Sequence, residues 1–103
     1  MYVCRWHLEI PFGRQAEAVK TMNEWKAEAL PSVFQKAKSA RLLAGHVGTS
    51  ASRLIAEYEF ETLAEWDQAL TGMGDPRFVK YAEALAPLVV AGSQRWEILK
   101  VLG

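Results

Sequence analysis

Hydrophobic positions recur along the chain with two periods, and the changes of period mark its elements. From residue 2 to 10 the period is two: Tyr2, Cys4, Trp6, Leu8 and Ile10 fall on one side, Val3, Arg5, His7 and Glu9 on the other. Strand side chains point alternately to opposite faces, so this stretch predicts a strand with one oily and one mostly charged face. Pro11 and Gly13 punctuate it. From about Arg14, Ala18, Met22, Trp25 and Ala29 recur at the i, i+4, i+7 spacing of an amphipathic helix. Pro31 should kink or end that helix, and SVFQKAKS after it reads as a further helical turn or two, because Pro is tolerated at the first position of a helix.

Two extended runs come next in ARLLAGHVGTSASRLIAEYEFE, joined by the small, polar GTSAS of a hairpin connection. In the second run Leu54, Ala56, Tyr58 and Phe60 alternate with Arg53, Ile55, Glu57 and Glu59, which repeats the pattern of the first strand. Thr62-Leu-Ala-Glu65 matches a capping box, and Leu63, Trp66 and Leu70 continue at helical spacing. TGMG breaks this helix. Asp75 and Pro76 then cap and start another, with Phe78, Ala82, Leu85 and Val89 as its buried side and Pro87 and Gly92 bounding its end. In SQRWEILKVL, Gln94, Trp96, Ile98, Lys100 and Leu102 alternate with Arg95, Glu97, Leu99 and Val101, a last strand.

The order strand, helix, strand, strand, helix, strand predicts an α+β, ferredoxin-like βαββαβ fold: a four-stranded antiparallel sheet with the helices on one face. No internal repeat or linker divides the chain, so residues 1–103 are expected to form one domain. The uncovered face would display Val3, Arg5, His7 and Glu9 beside Arg53, Ile55, Glu57, Glu59, Arg95, Glu97, Leu99 and Val101. Such a mixed surface suits a two-fold homodimer in which two sheets meet. Arg5, Glu9, Arg53, Glu57, Arg95 and Glu97 are its expected interface charges, and Val3, Ile55, Leu99 and Val101 exclude water.

Composition narrows the function classes. Twelve basic and twelve acidic side chains give zero formal net charge, with neither sign gathered into a block, so neither nucleic acid nor a membrane surface is an expected partner. The longest apolar stretch, LAPLVVAG at 85 to 92, falls far short of the roughly 20 residues of a membrane span, and the N-terminus has no secretory pattern. Cys4 has no disulfide partner in the chain and no zinc-type spacing accompanies it, which suits a reducing compartment, the cytoplasm.

The second half of the chain, FETLAEWDQALTGMGDPRFVKYAEALAPLVVAGSQRWEILKVL, resembles the dimeric α/β-barrel superfamily, and within it the NIPSNAP-like proteins, with a more distant likeness to the antibiotic-biosynthesis monooxygenases. The likeness lies in a helix-starting Trp66, the Gly-Asp-Pro break at Asp75 and Pro76, and a closing strand that begins with Ser93 and reaches Glu97. It implies a homodimeric barrel. It does not fix a reaction, since the superfamily includes antibiotic-biosynthesis and haem-degrading monooxygenases, muconolactone-isomerase-like enzymes and proteins without known activity. Its monooxygenases commonly place an Asn on the first strand with a Trp and a His from the helical layer. Here Trp66 matches the Trp, Arg5 and His7 stand where the Asn would be, and residues 61–103 contain no His, so haem is not an expected cofactor and none other is implied.

Three functions remain from these residues. The leading one is binding of a small, largely apolar or aromatic molecule between helices and sheet, in a space lined by Trp6, Tyr58, Trp66, Phe78 and Tyr81. The second is a cofactor-independent monooxygenase or isomerase acting on an aromatic or polyketide-like substrate, with Trp66 stacking and His7 or His46 moving protons, since imidazole titrates near neutrality. His46 is read on a glycine-flanked strand, and His7 also as a structural partner of Glu9, Glu57 or Glu97, since buried polar networks are commonly structural. The third is a structural dimerisation module. Cys4, on the oily side, reads as a small hydrophobe, and the carboxylates near His7 read as ion-pair partners of the arginines rather than metal ligands.

Overall fold

The computed structural model describes residues 1–103. Its elements run β1 (Tyr2–Glu9), α1 (Gln15–Ala29), β2 (Ser39–Ala44), β3 (Arg53–Phe60), α2 (Leu63–Gly72), α3 (Val79–Leu85) and β4 (Arg95–Lys100). Short 3-10 turns at Pro76–Phe78 and Ala86–Leu88 flank α3. The strands form one antiparallel sheet in the order β2-β3-β1-β4, the ferredoxin-like arrangement expected from the alternation of periods. No helix is long and apolar enough to cross a membrane.

The central strand β1 carries the alternation read from its sequence. Cys4, Leu8 and Ile10 are buried on the helix side, as are Leu54, Ala56 and Phe60 of the neighbouring β3. The helices cover that face with two clusters rather than one. Leu8, Ile10, Ala18, Met22, Leu54, Ala56, Leu85 and Leu88 form the first, while Cys4, Ala29, Phe34, Phe60, Ala69 and Phe78 form the second. Burying each phenylalanine of the second cluster stabilises the fold by about 2–3 kcal/mol in transfer free energy. Trp25 and Tyr58 pack against both clusters and join them.

Several local expectations change. SVFQKAKS is not helical: α1 stops at Ala29, and residues 30–36 form successive turns. The Ser32 hydroxyl bonds back to the carbonyls of Glu28 and Ala29, and the Phe34 amide donates to Ala29, so the carbonyls at the helix end are satisfied without another turn. This drops Phe34 into the core. The capping box at α2 is half formed: Thr62 accepts from the Glu65 amide at 3.2 Å, but Glu65 Oε2 is buried without a partner. Asp75 caps the 3-10 turn, accepting from the Arg77 amide at 2.9 Å. Phe78 and Leu85 are buried as the spacing predicts, whereas Ala82 is exposed and, in the 3-10 turn that follows α3, Leu88 rather than Val89 is fully buried.

His46 is not on a strand. β2 ends at Ala44, and residues 45–52 form the connection to β3, with His46 exposed. Gly45 opens this connection where a side chain has no room, since a Cβ there would lie 1.9 Å from the Ser50 carbonyl oxygen. Gly45→Ala is expected to destabilise the chain by about 2 kcal/mol. Urea denaturation checks this, with an unchanged midpoint contradicting the close backbone approach.

Candidate functional site

A cavity of about 240 Å³ lies between the helices and the sheet, in the gap between the two core clusters. Its walls come from Trp6 on β1, Trp25 on α1, Tyr58 on β3 and Trp96 on β4, with Phe34, Leu42, Leu70 and Met73 closing the rest. These positions are set by register. Trp6 faces Trp96 and Ala56 across the two neighbouring strands, so two indoles stand side by side while the small Ala56 leaves space on the third strand. Trp6 and Trp96 stack with centroids 6.2 Å apart, and Trp25 meets Trp6 edge-on at 6.0 Å. Rigid rings in mutual contact cannot collapse into the gap, which leaves it open and apolar. Tyr58 is the phenol in this wall, and burial pushes it up to about 12, so it stays protonated and able to donate.

Trp6 and Tyr58, expected as ligand-lining, stand in the wall; Trp66, Phe78 and Tyr81 do not. Trp66 packs edge-on against Trp96 at 5.6 Å, with its indole N–H buried and unpartnered. Phe78 is a core residue of the second cluster. Tyr81 stacks on Trp25 at 6.0 Å and donates its hydroxyl to the Glu28 carboxylate. Trp25, Trp96, Leu42 and Phe34 are wall residues that the periodicity alone does not pick out. The Trp6 to Trp96 register identifies Trp96, whereas Phe34 needs the turn after Ala29.

The opposite face of the sheet holds most of the remaining chemistry. Arg41, Glu57, Arg5 and Glu97 lie in one row across all four strands. Glu57, whose side chain is only 2% exposed, accepts from Arg5 Nε at 2.7 Å and Arg41 Nε at 2.6 Å. Burial opposes its ionisation, but the two arginine hydrogen bonds outweigh it and hold the carboxyl below its ordinary value. Glu9 is likewise held low, by hydrogen bonds from Ser52 and then Arg53.

His7 is buried between these groups. Arg53 Nη1 lies 3.2 Å from its Nδ1 and Glu97 Oε1 lies 3.2 Å from its Nε2. A guanidinium has only donors, so Nδ1 accepts and Nε2 carries the hydrogen donated to Glu97. Both ring nitrogens are therefore committed. His7 is separated from the cavity by the sheet and His46 lies on an exposed loop, so neither lines the cavity. Cys4 is buried on the helix side, where desolvation pushes its thiol to about 11.

No family model and no curated protein matches the chain. Solved structures do. An uncharacterized NIPSNAP domain protein from Burkholderia xenovorans is 14% identical and superposes with a TM-score of 0.76 over 99% of this chain and 95% of its own. A proposed antibiotic biosynthesis monooxygenase from Nitrosomonas europaea is 10% identical, with a TM-score of 0.74 over 100% of both chains. SnoaB, a cofactor-independent oxygenase from Streptomyces nogalater crystallised as a point mutant, is 15% identical, with a TM-score of 0.70 over 97% of this chain and 91% of its own. The chain has the ferredoxin-like fold of these structures.

This ferredoxin-like sheet thus separates two environments, an aromatic cavity under the helices and an ion-pair lattice on the open face. Most of the lattice closes within one chain: Arg5, Glu9, Arg53, Glu57 and Glu97 all find partners on neighbouring strands, while Arg95 and Glu59 form no salt bridge. Because Glu57 and Glu9 bind protons less readily folded than unfolded, their contribution is fully present above the ordinary carboxyl value of 4.5 and is lost as pH falls through the lower folded values. Glu57→Gln is expected to cost about 2 kcal/mol at neutral pH, by leaving two arginines without their anion, and to flatten the acid limb of stability. Urea titrations at a series of pH values test both, and an acid limb of unchanged slope in the variant would refute the assignment to Glu57.

Proposed function

We propose that the chain binds a small, largely apolar molecule in the cavity between helices and sheet. The carrying observation is the cavity itself: about 240 Å³, walled mostly by aromatic and aliphatic side chains and lined by Trp6, Trp25, Tyr58 and Trp96. Pockets of this kind take their affinity from apolar contact and their orientation from a few polar groups. Flat or aromatic molecules suit the parallel indoles of Trp6 and Trp96.

A cofactor-independent oxygenase or isomerase is the second reading, and its support is the fold shared with SnoaB. The cavity wall offers it little. No histidine, aspartate or glutamate lines the space, so proton abstraction there has no ordinary general base. His7 and His46, the residues on which that reading relies, do not reach it. Binding is the function that this geometry supports best.

The open sheet face supports a homodimer. Leu99 and Val101 are 42% and 41% exposed there, beside the half-buried Val3 and Ile55. Most charges of this face are paired inside each chain, which lowers the penalty against apolar contact between two such faces, and the unpaired Arg95 and Glu59 are of opposite sign and can pair across them. A structural dimerisation module would need only this face and no occupant for the cavity.

Binding is tested by titrating the neutral fluorophore N-phenyl-1-naphthylamine and following its emission together with tryptophan quenching. One-to-one binding is expected, weakened roughly tenfold or more in Leu42→Trp, which fills the cavity from β2. Absence of binding to the folded wild-type chain would overturn the reading. Sedimentation at micromolar concentration is expected to show a dimer that Leu99→Asp converts to monomer, and a wild-type monomer would refute the two-face argument.

A further inference from the structure

The charges around the cavity are not balanced as they are in the chain as a whole. A second hollow of about 310 Å³ runs between α1 and the edge strand β2, and it shares Asn23, Lys26, Arg41 and Leu42 with the aromatic cavity. Neither lining contains an aspartate or a glutamate, although acids and bases are equally numerous in the sequence. Two basic residues, Lys26 and Arg41, border both hollows. Arg41 is committed to Glu57 through Nε at 2.6 Å, on the open side of the sheet. Lys26 forms no salt bridge. Its neighbours one turn away along α1 are Met22, Asn23, Ala29 and Leu30, none of which can supply a counter-charge, and the acids Glu24 and Glu28 lie at spacings that do not share its face. Glu28 is in any case engaged by Tyr81 and Lys80.

Lys26 is a half-buried residue that lines both hollows and has no counter-ion, and an ammonium so placed at the mouth of an apolar space is a place for an anion. We propose that the occupant is an amphipathic anion. Its flat apolar body lies between the indoles of Trp6 and Trp96 and the phenol of Tyr58, and its carboxylate or similar acidic head emerges into the second hollow against Lys26, with the Asn23 amide beside it. This rests on the binding reading above and deepens it by naming the class of ligand. Lys26 also lies in the last turn of α1, where a cation favours the helix dipole, so the competing role is purely structural.

A pair of probes sharing one ring system separates these. 8-Anilinonaphthalene-1-sulfonate carries an anionic head, whereas N-phenyl-1-naphthylamine has the same rings and no charge. Lys26→Gln is expected to weaken the sulfonate roughly fivefold and leave the neutral probe unchanged. Lys26→Arg should restore the sulfonate, and added salt should weaken the sulfonate alone. If Lys26→Gln leaves the ratio of the two affinities unchanged, whether both hold or both fall together, the assignment of Lys26 to an anionic head is wrong although the cavity still binds. If neither probe binds the wild-type chain, the binding reading itself fails and this one with it.

Discussion

The carboxylate of Glu57 is the point on which the sheet depends. It sits on β3 with its side chain 2% exposed, gripped by Arg5 from β1 on one side and Arg41 from β2 on the other. A buried carboxylate left alone would be strongly unfavourable, so any slip of register that moved either arginine would carry that penalty. Moving a strand by one residue would also send the oily side of β1 to the open face. Electrostatics and hydrophobic burial therefore select the same register, and agreement of this kind is what lets a sequence specify one structure.

The other face is a consequence of that choice. Once Arg5 and Glu57 are fixed on the open side, Trp6 and Ala56 are paired under the helices, with Trp96 on the flank of Trp6. Large rings meet a small residue there, and the core divides into two clusters with Trp25 and Tyr58 spanning both. All four tryptophans then touch in series, Trp25 to Trp6 to Trp96 to Trp66. Such an array is stiff. Its stiffness holds the cavity open, because closing it would require moving rings that are already in contact with one another.

How much of this is legible in the sequence depends on whether a local period carries the information. The alternation in YVCRWHLEI and RLIAEYEF is enough to assign both faces of the central strands, and with the helix signals it is enough for the topology. Legibility fails where one side-chain bond decides the path. α1 ends just before Pro31 as expected, but Ser32 bonds back to Glu28 and Ala29 and keeps the chain in turns beyond it, which no periodicity reveals, and so the pattern places Phe34 on a helix rather than in the core. The cavity is half legible for a similar reason. Trp6 and Tyr58 are given by strand parity, whereas Phe78, buried as its spacing predicts, goes to the second core cluster and Tyr81 is drawn to Trp25 and Glu28 of α1, contacts between helices that no local period carries. His46 is misplaced because Gly45, which resembles a strand residue beside a ligand, instead begins a turn against Ser50.

The division of chemistry between the two faces bears on function more than any one residue does. The open face concentrates the titratable groups and engages most of them: His7 bridges Arg53 and Glu97, and Glu9 is held by Ser52 and Arg53. Groups so engaged hold strands together, and moving them toward a substrate would break those bonds. The cavity is the reverse, with space and apolar surface but no carboxylate or imidazole in its wall. Proton transfer by His7, Glu9 or Glu57 to a molecule in the cavity is blocked by the sheet, which stands between them. Binding needs only the cavity, a donor such as Tyr58 and a charge at the mouth such as Lys26, and all three lie on the helix-covered side.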